Sequence, residues 1–198
     1  MKLILDEEYI PGTSLRKRDM DGSTGLAFLQ KMFLFSDGVM LSQIRSVSGI
    51  DGSTLQNWTK RGWVENSVSK KYNINQVAHI LIINMLRSCM QLERIAFLIQ
   101  YINGSVSDRS DDIIPDSELY DIICRVLDRL SVQEGVSLRS IDEMIQTEIS
   151  DYKEPVEGAK NRLYQALQVI ITAYYAAIIK RVMDRRLNRL VEEKGTQA

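Results

Sequence analysis

The chain has 198 residues, 44% hydrophobic and 26% charged, with a formal net charge of −1. That length can bury one substantial core, which excludes a disordered chain and a large multidomain enzyme. Eleven glycines and three prolines are too few for an all-β chain, which needs a turn signal every ~8 to 12 residues, so the composition leans towards helices.

In chain order, residues 1 to 24 show no clear period and are interrupted by Pro11-Gly12, so they read as an irregular arm. Asp6, Glu7 and Glu8 fall where a secretory signal would need an apolar run, so a cytoplasmic protein is expected. Gly25 to Phe35 is apolar enough for a short helix. Leu41, Ile44 and Val47 then predict a two-turn helix closed by Gly49, a residue able to adopt positive φ. The chain turns through Ile50 and Asp51, and Gly52 or Ser53 opens a second helix that carries Leu55 and Trp58 and ends at Gly62. Two short helices joined by a tight glycine-containing turn form a helix-turn-helix pattern. A small extended hairpin fits between Trp63 and Tyr72. Asn73 or Asn75 caps an apolar helix over Gln76 to Arg87, and Leu92, Ile95, Ile99 and Ile102 mark another that ends at Gly104.

The Ser/Asp-rich stretch Ser105 to Ile114 reads as an exposed linker and places a domain boundary after residue 104. A helix follows from Pro115-Asp116 to about Leu130. Ser140 with Glu143 suggests a capping box for an element over Ile141 to Tyr152. From Ala159 to Glu193 no helix breaker intervenes, which predicts one helix of about 35 residues, ~50 Å long. Between Leu163 and Ile179 it is apolar on nearly every side, yet Gln165, Gln168 and Thr172 interrupt it and it falls short of the ~20 apolar residues of a membrane span. A partner chain is the expected cover, with Leu163, Leu167, Ile170, Ile171, Tyr174 and Ile178 as the dimerisation residues.

Charge is distributed unevenly along this order. Residues 1 to 104 carry 12 Lys/Arg against 9 Asp/Glu, residues 105 to 160 carry 6 against 14, and residues 161 to 198 carry 7 against 3. A basic front and tail around an acidic middle suggest different partners for different regions.

The segments Leu41-Ser42-Gln43-Ile44-Arg45, Thr54 to Val64, Lys70-Lys71-Tyr72 and Gln91-Leu92-Glu93-Arg94-Ile95 resemble the winged helix-turn-helix domain of the mercury-resistance-regulator (MerR) family. They are more similar still to a family of Gram-positive bacteria, the domain of unknown function 1836. The resemblance covers about residues 26 to 104. It implies an all-α fold with a small β wing, in which a winged helix-turn-helix domain over 25 to 104 precedes a helical dimerisation and effector region over 105 to 198. It also implies a role for the wing exit, where Tyr72 joins Lys70 and Lys71 in contacting DNA.

A helix laid in the major groove offers its early residues to base edges and its later basic residues to phosphates. Ser53, Gln56 and Asn57 are the candidates for bases, and Lys60, Arg61, Lys70 and Lys71 for phosphates. The expected function is a sequence-specific, homodimeric transcriptional regulator that binds double-stranded DNA, with a small-molecule or protein effector at the C-terminal helices and no membrane partner. The alternative is a protein-interaction adaptor on the same scaffold, motivated by the acidic middle and by Gln56-Asn57-Trp58 standing where the MerR family usually has Arg-Tyr-Tyr/Trp. No P-loop, nucleophile elbow, HExxH or dinucleotide fingerprint is present, so no catalysis is expected. Trp58, Trp63 and His79 read as packing residues, and Cys89 and Cys124 as small buried hydrophobes.

Overall fold

The computed structural model describes residues 9–105 and 108–195. The described residues form eight α-helices, α1 (Gly25–Met32), α2 (Leu41–Ser48), α3 (Gly52–Lys60), α4 (Ile74–Leu86), α5 (Leu92–Asn103), α6 (Asp116–Ser131), α7 (Leu138–Glu148) and α8 (Ala159–Gly195). Two short strands, β1 (Val39–Met40) and β2 (Lys71–Tyr72), pair antiparallel. The protein is therefore mainly helical with one small ribbon.

The centre is α4, whose apolar residues surround the helix instead of lining one side. Val77, Ala78, Ile80, Leu81, Ile82 and Ile83 are all buried, as expected of a helix covered from every direction. It is covered by α1, α2, α5, α6 and α8. Asn73 starts it with a reciprocal cap: its side chain accepts from the Gln76 backbone N–H and Gln76 Oε1 accepts from the Asn73 N–H, both at 2.9 Å. One apolar core runs from Ile10 to Tyr175, so it crosses the expected boundary at residue 104 without a break.

The arm is part of that core. Residues 1 to 8 of it lie outside the described residues, but Ile10 is fully buried, Tyr120 donates its hydroxyl to the Pro11 carbonyl at 2.7 Å, and Asn84 Nδ2 donates to Gly12 O at 2.9 Å. Gly12 has φ +76° and lies so close to α4 that a Cβ there would come within 2.3 Å of the Leu81 carbonyl oxygen. Gly12→Ala meets both left-handed strain and a backbone clash. It is expected to lower unfolding free energy by about 2 to 4 kcal/mol in urea titration, whereas a loss under about 0.5 kcal/mol would show that the arm is not held this way.

Three local expectations change. The second strand of the expected hairpin pairs with Val39–Met40, ahead of α2, and closes on itself only through a tight Val68–Lys71 bridge. The cap of α7 is Ser137, whose hydroxyl accepts from the Ser140 N–H, and Ser140 is the inner member of that box. The long helix α8 does not leave its apolar half uncovered. Leu163, Leu167, Ile170 and Ile171 are 0% exposed and Ile178 is 2% exposed, because α4, α5, α6 and α7 all pack on α8. Tyr174 is half-buried, edge-on to Tyr175 at 6.1 Å between ring centroids. These six residues are intrachain core, so they are not an exposed dimerisation face. By length and composition α8 is apolar enough to cross a membrane, contrary to the sequence expectation, yet 44% of its most apolar window is buried inside the protein.

Candidate nucleic-acid interface

Helices α2 and α3 meet through the turn Gly49-Ile50-Asp51. Gly49 takes the left-handed conformation (φ +69°) that ends α2, and buried Ile50 pins the turn to the core. Asp51 then caps α3. Its Oδ1 accepts from the Thr54 N–H at 2.9 Å and from the Ser53 hydroxyl, and its Oδ2 accepts from the Thr54 hydroxyl at 2.6 Å. The hydrogen bonds from Ser53 and Thr54 hold the Asp51 carboxyl far below the usual carboxylate range. Sequence reading placed Asp51 in the turn and did not assign it this role.

With that start fixed, the period of α3 decides which residues face out. Leu55 and Trp58 are each 1% exposed and anchor the inner side. Ser53, Gln56, Asn57 and Lys60 recur at i, i+3, i+4 and i+7 and are all exposed, which puts them on one outer face. Ser53 spends its hydroxyl hydrogen on Asp51, so what it presents outward is an acceptor. Arg61 follows with its guanidinium 5.0 Å from the centre of the Trp63 ring and 3.3 Å from Glu93 Oε1. Arg45 lies against the first residue of α3, where a Cβ on Gly52 would come 3.7 Å from its Cδ. It is exposed, and no sequence signal singles it out, because its place depends on how the middle of α2 meets the start of α3.

The ribbon stands beside this pair. Met40 ends β1 and leads directly into α2, and it pairs with Lys71 while Val39 pairs with Tyr72. Because side chains alternate across a strand, Lys71 and Met40 point outward while Tyr72 and Val39, 7% and 1% exposed, point into the core. Tyr72 is thus a core residue and cannot contact DNA from this position. At the tip, Ser69 (φ 52°) and Lys70 (φ 63°) both adopt left-handed backbone, the conformation of a two-residue hairpin turn usually filled by Asn-Gly. Lys70 and Lys71 are both exposed.

A buried polar network ties this surface to the C-terminal region. Trp63, just past α3, accepts at its carbonyl from His79 Nε2 at 2.8 Å, and the other ring nitrogen lies 3.1 Å from Asp116 Oδ2. Arg109 Nη1 donates to the same oxygen at 3.0 Å while its Nε donates to Glu65 at 3.1 Å. Burial pushes the Asp116 carboxyl up, but His79 and Arg109 outweigh it and hold it below the ordinary value of 3.8. Asp116→Ala would strand the buried His79 ring and take one of three carboxylate partners from the exposed Arg109, and it is expected to cost about 2 to 4 kcal/mol in urea titration. A group with a lowered folded-state value stabilises fully above its unfolded value and loses that contribution as pH falls through the folded value. The gap between wild type and Asp116→Ala should therefore be largest above pH 3.8 and narrow below it; a gap independent of pH would contradict the network.

Burial raises the Cys124 thiol to about 12, which removes thiolate reactivity at neutral pH. Cys89 donates to the Ala173 carbonyl at 3.0 Å.

Residues 28–123 match a family model described as a domain of unknown function (DUF1836). The chain is also similar to the uncharacterized protein YkrK of Bacillus subtilis (strain 168), 25% identical over 147 residues that make up 71% of this chain and 63% of that relative. The chain thus spans less than two thirds of the length of the curated relative it matches. No solved structure matches it. The family match runs from α1 through the first half of α6 and passes the expected boundary at residue 104.

Proposed function

We propose that the protein is a homodimeric, sequence-specific DNA-binding regulator that acts in the cytoplasm, with α2, α3 and the ribbon working as a MerR-like winged helix-turn-helix. The observation that carries this reading is the outer face of α3. It combines two carboxamides, Gln56 and Asn57, with Lys60, while Lys70 and Lys71 project from the neighbouring ribbon. Carboxamides suit bidentate contact with adenine, and ammonium groups suit phosphates. The left-handed lysine at the tip adds weight, since a strained non-glycine residue is retained where its side chain has a use. The adaptor alternative draws on the acidic Asp51 and Glu93 at either end of this face.

The dimer face that fits the structure is the solvent side of α8. Val169, Thr172, Ala176, Ile179, Met183, Leu187 and Leu190 are all exposed at steps of three and four, a spacing of about 3.5 residues that a second helix can match along its length. Phe97 and Tyr101 of α5 flank its start, with Tyr101 held by a 2.7 Å hydrogen bond to Gln165. A cleft of about 700 Å³ between Glu65 and Asn75, at the start of α4, and Arg109, Tyr152 and Pro155 is where an effector would bind. Fluorescence anisotropy of the full chain on duplex DNA tests the reading: steep weakening with salt supports it, and no binding at low salt refutes it.

A further inference from the structure

The turn after α1 presents the most exposed aromatic side chain described in the protein. Phe35 is 98% exposed and Leu34 before it 66%, although Phe28 and Leu29 of the same segment are fully buried. The backbone around Phe35 is well tied. The Ser36 N–H donates to Phe33 O at 3.3 Å, and the Ser36 hydroxyl donates to Gly38 O at 2.7 Å while accepting from Lys71 Nζ at 3.3 Å. Gly38 lies so close to the ribbon that a Cβ there would come within 2.8 Å of Lys71 Cβ. The turn that carries Phe35 is therefore held against Lys71 of the ribbon, next to which Met40 is 50% exposed. Asp37 is the one acid in this turn, against Lys70 and Lys71.

From this juxtaposition we infer that Phe35 is an apolar wedge that enters a base step of duplex DNA at the flank of the sequence read by α3. The inference rests on the DNA-binding reading above and adds a contact outside the helix-turn-helix. Two observations and one general principle select DNA as the occupant. The apolar tip adjoins Lys71, with Lys70 next to it in the chain, and ammonium groups suit a polyanion. The patch is continuous with the reading surface, since Met40 leads into α2 and Leu41 reaches the first residue of α3, 3.9 Å from where a Gly52 Cβ would stand. An exposed phenylalanine on a hydrogen-bonded turn is also the kind of side chain that unstacks and kinks a duplex, most readily at pyrimidine–purine steps. The kink would bring the ribbon lysines closer to the backbone on the same side.

The test uses the full chain, a duplex recovered by selection of genomic fragments, and a fluorescent adenine analogue placed in turn at each step flanking the protected sequence. Wild-type protein should raise the analogue's fluorescence several-fold at one step, as unstacking does. Phe35→Ala should abolish the rise and weaken binding roughly tenfold, in line with the loss of one base–aromatic contact, while Phe35→Trp should keep both. At 98% exposure the side chain supports no core, so both variants fold. Binding without any rise, or a rise unchanged in Phe35→Ala, overturns the wedge and leaves the DNA-binding reading standing. Failure of every variant to bind the duplex in parallel anisotropy refutes that reading and the wedge with it. A Phe35-dependent sedimentation with phosphatidylserine-containing vesicles, or a Phe35-dependent change in oligomeric state, would assign the patch to a membrane surface or to a second copy and likewise overturn the wedge.

Discussion

Met183→Glu is expected to turn the proposed dimer into a folded monomer, whereas Ile171→Glu, on the buried side of the same helix, is expected to prevent folding. Met183 is 53% exposed and Ile171 is 0% exposed. A carboxylate at Met183 stays in water in the monomer and meets the hydrophobic seam only in the dimer, so unfolding free energy of the monomer should change by no more than about 0.5 kcal/mol. A carboxylate at Ile171 would be buried in the apolar core and should cost about 4 kcal/mol or more. Light scattering at tens of micromolar, about the concentration at which a moderate dimer is filled, reads the first outcome, and circular dichroism reads the second. A wild-type monomer, or a dimer indifferent to both Ile179→Glu and Met183→Glu, would remove α8 from the interface.

The second large effect concerns the division of labour on the DNA surface. Alanine at Lys60, Arg61, Lys70 and Lys71 together should flatten the slope of log affinity against log salt by about 0.9 per lost phosphate contact, roughly three to four units for each protomer and about seven for a dimer with both surfaces on the duplex. Such a change weakens every duplex alike. Gln56→Ala or Asn57→Ala should instead cost about 1 to 3 kcal/mol on the preferred sequence and little on random DNA, because the lost hydrogen bonds are to base edges. Arg61 provides an internal check. Its guanidinium is shared with Glu93 at 3.3 Å, so Glu93→Gln should release it for phosphate and tighten binding a few-fold on all sequences, an effect of the size of one exposed ion pair. If the four-alanine variant binds as wild type does, this face is not a DNA reader and the adaptor reading takes its place.

The parts of this surface that could be read in the sequence depend on local periodicity. Leu41, Ile44 and Val47, then Leu55 and Trp58, carry a helical period that identifies both inner faces, and the outer positions Gln56, Asn57 and Lys60 follow from the same 3.6-residue repeat. Gly49 announces its own turn. What was not legible depends on distant partners. The inward direction of Tyr72 is fixed by its register against Val39, more than thirty residues earlier, and a two-residue strand leaves almost no sequence signature. The exposure of Phe35 likewise depends on a turn tied to Lys71 through Ser36. Helix α8 shows the same limit on a larger scale. An all-round apolar stretch states that something covers it, and hydropathy cannot say whether that is another chain or α4, α5, α6 and α7 returning from elsewhere in the same one. The true solvent stripe was masked because Thr172 and Ala176 interrupt its hydropathy while keeping its spacing.

Selection of genomic fragments by the purified full-length protein tests the central claim most directly. A twofold dimer carrying two α3 helices should enrich fragments that share a dyad-symmetric motif, with half-sites spaced by about one helical turn or a multiple of it, and the enrichment should disappear in the Gln56→Ala, Asn57→Ala double variant. Recovery of fragments with no common motif, or no retention of duplex DNA at low salt, would contradict it.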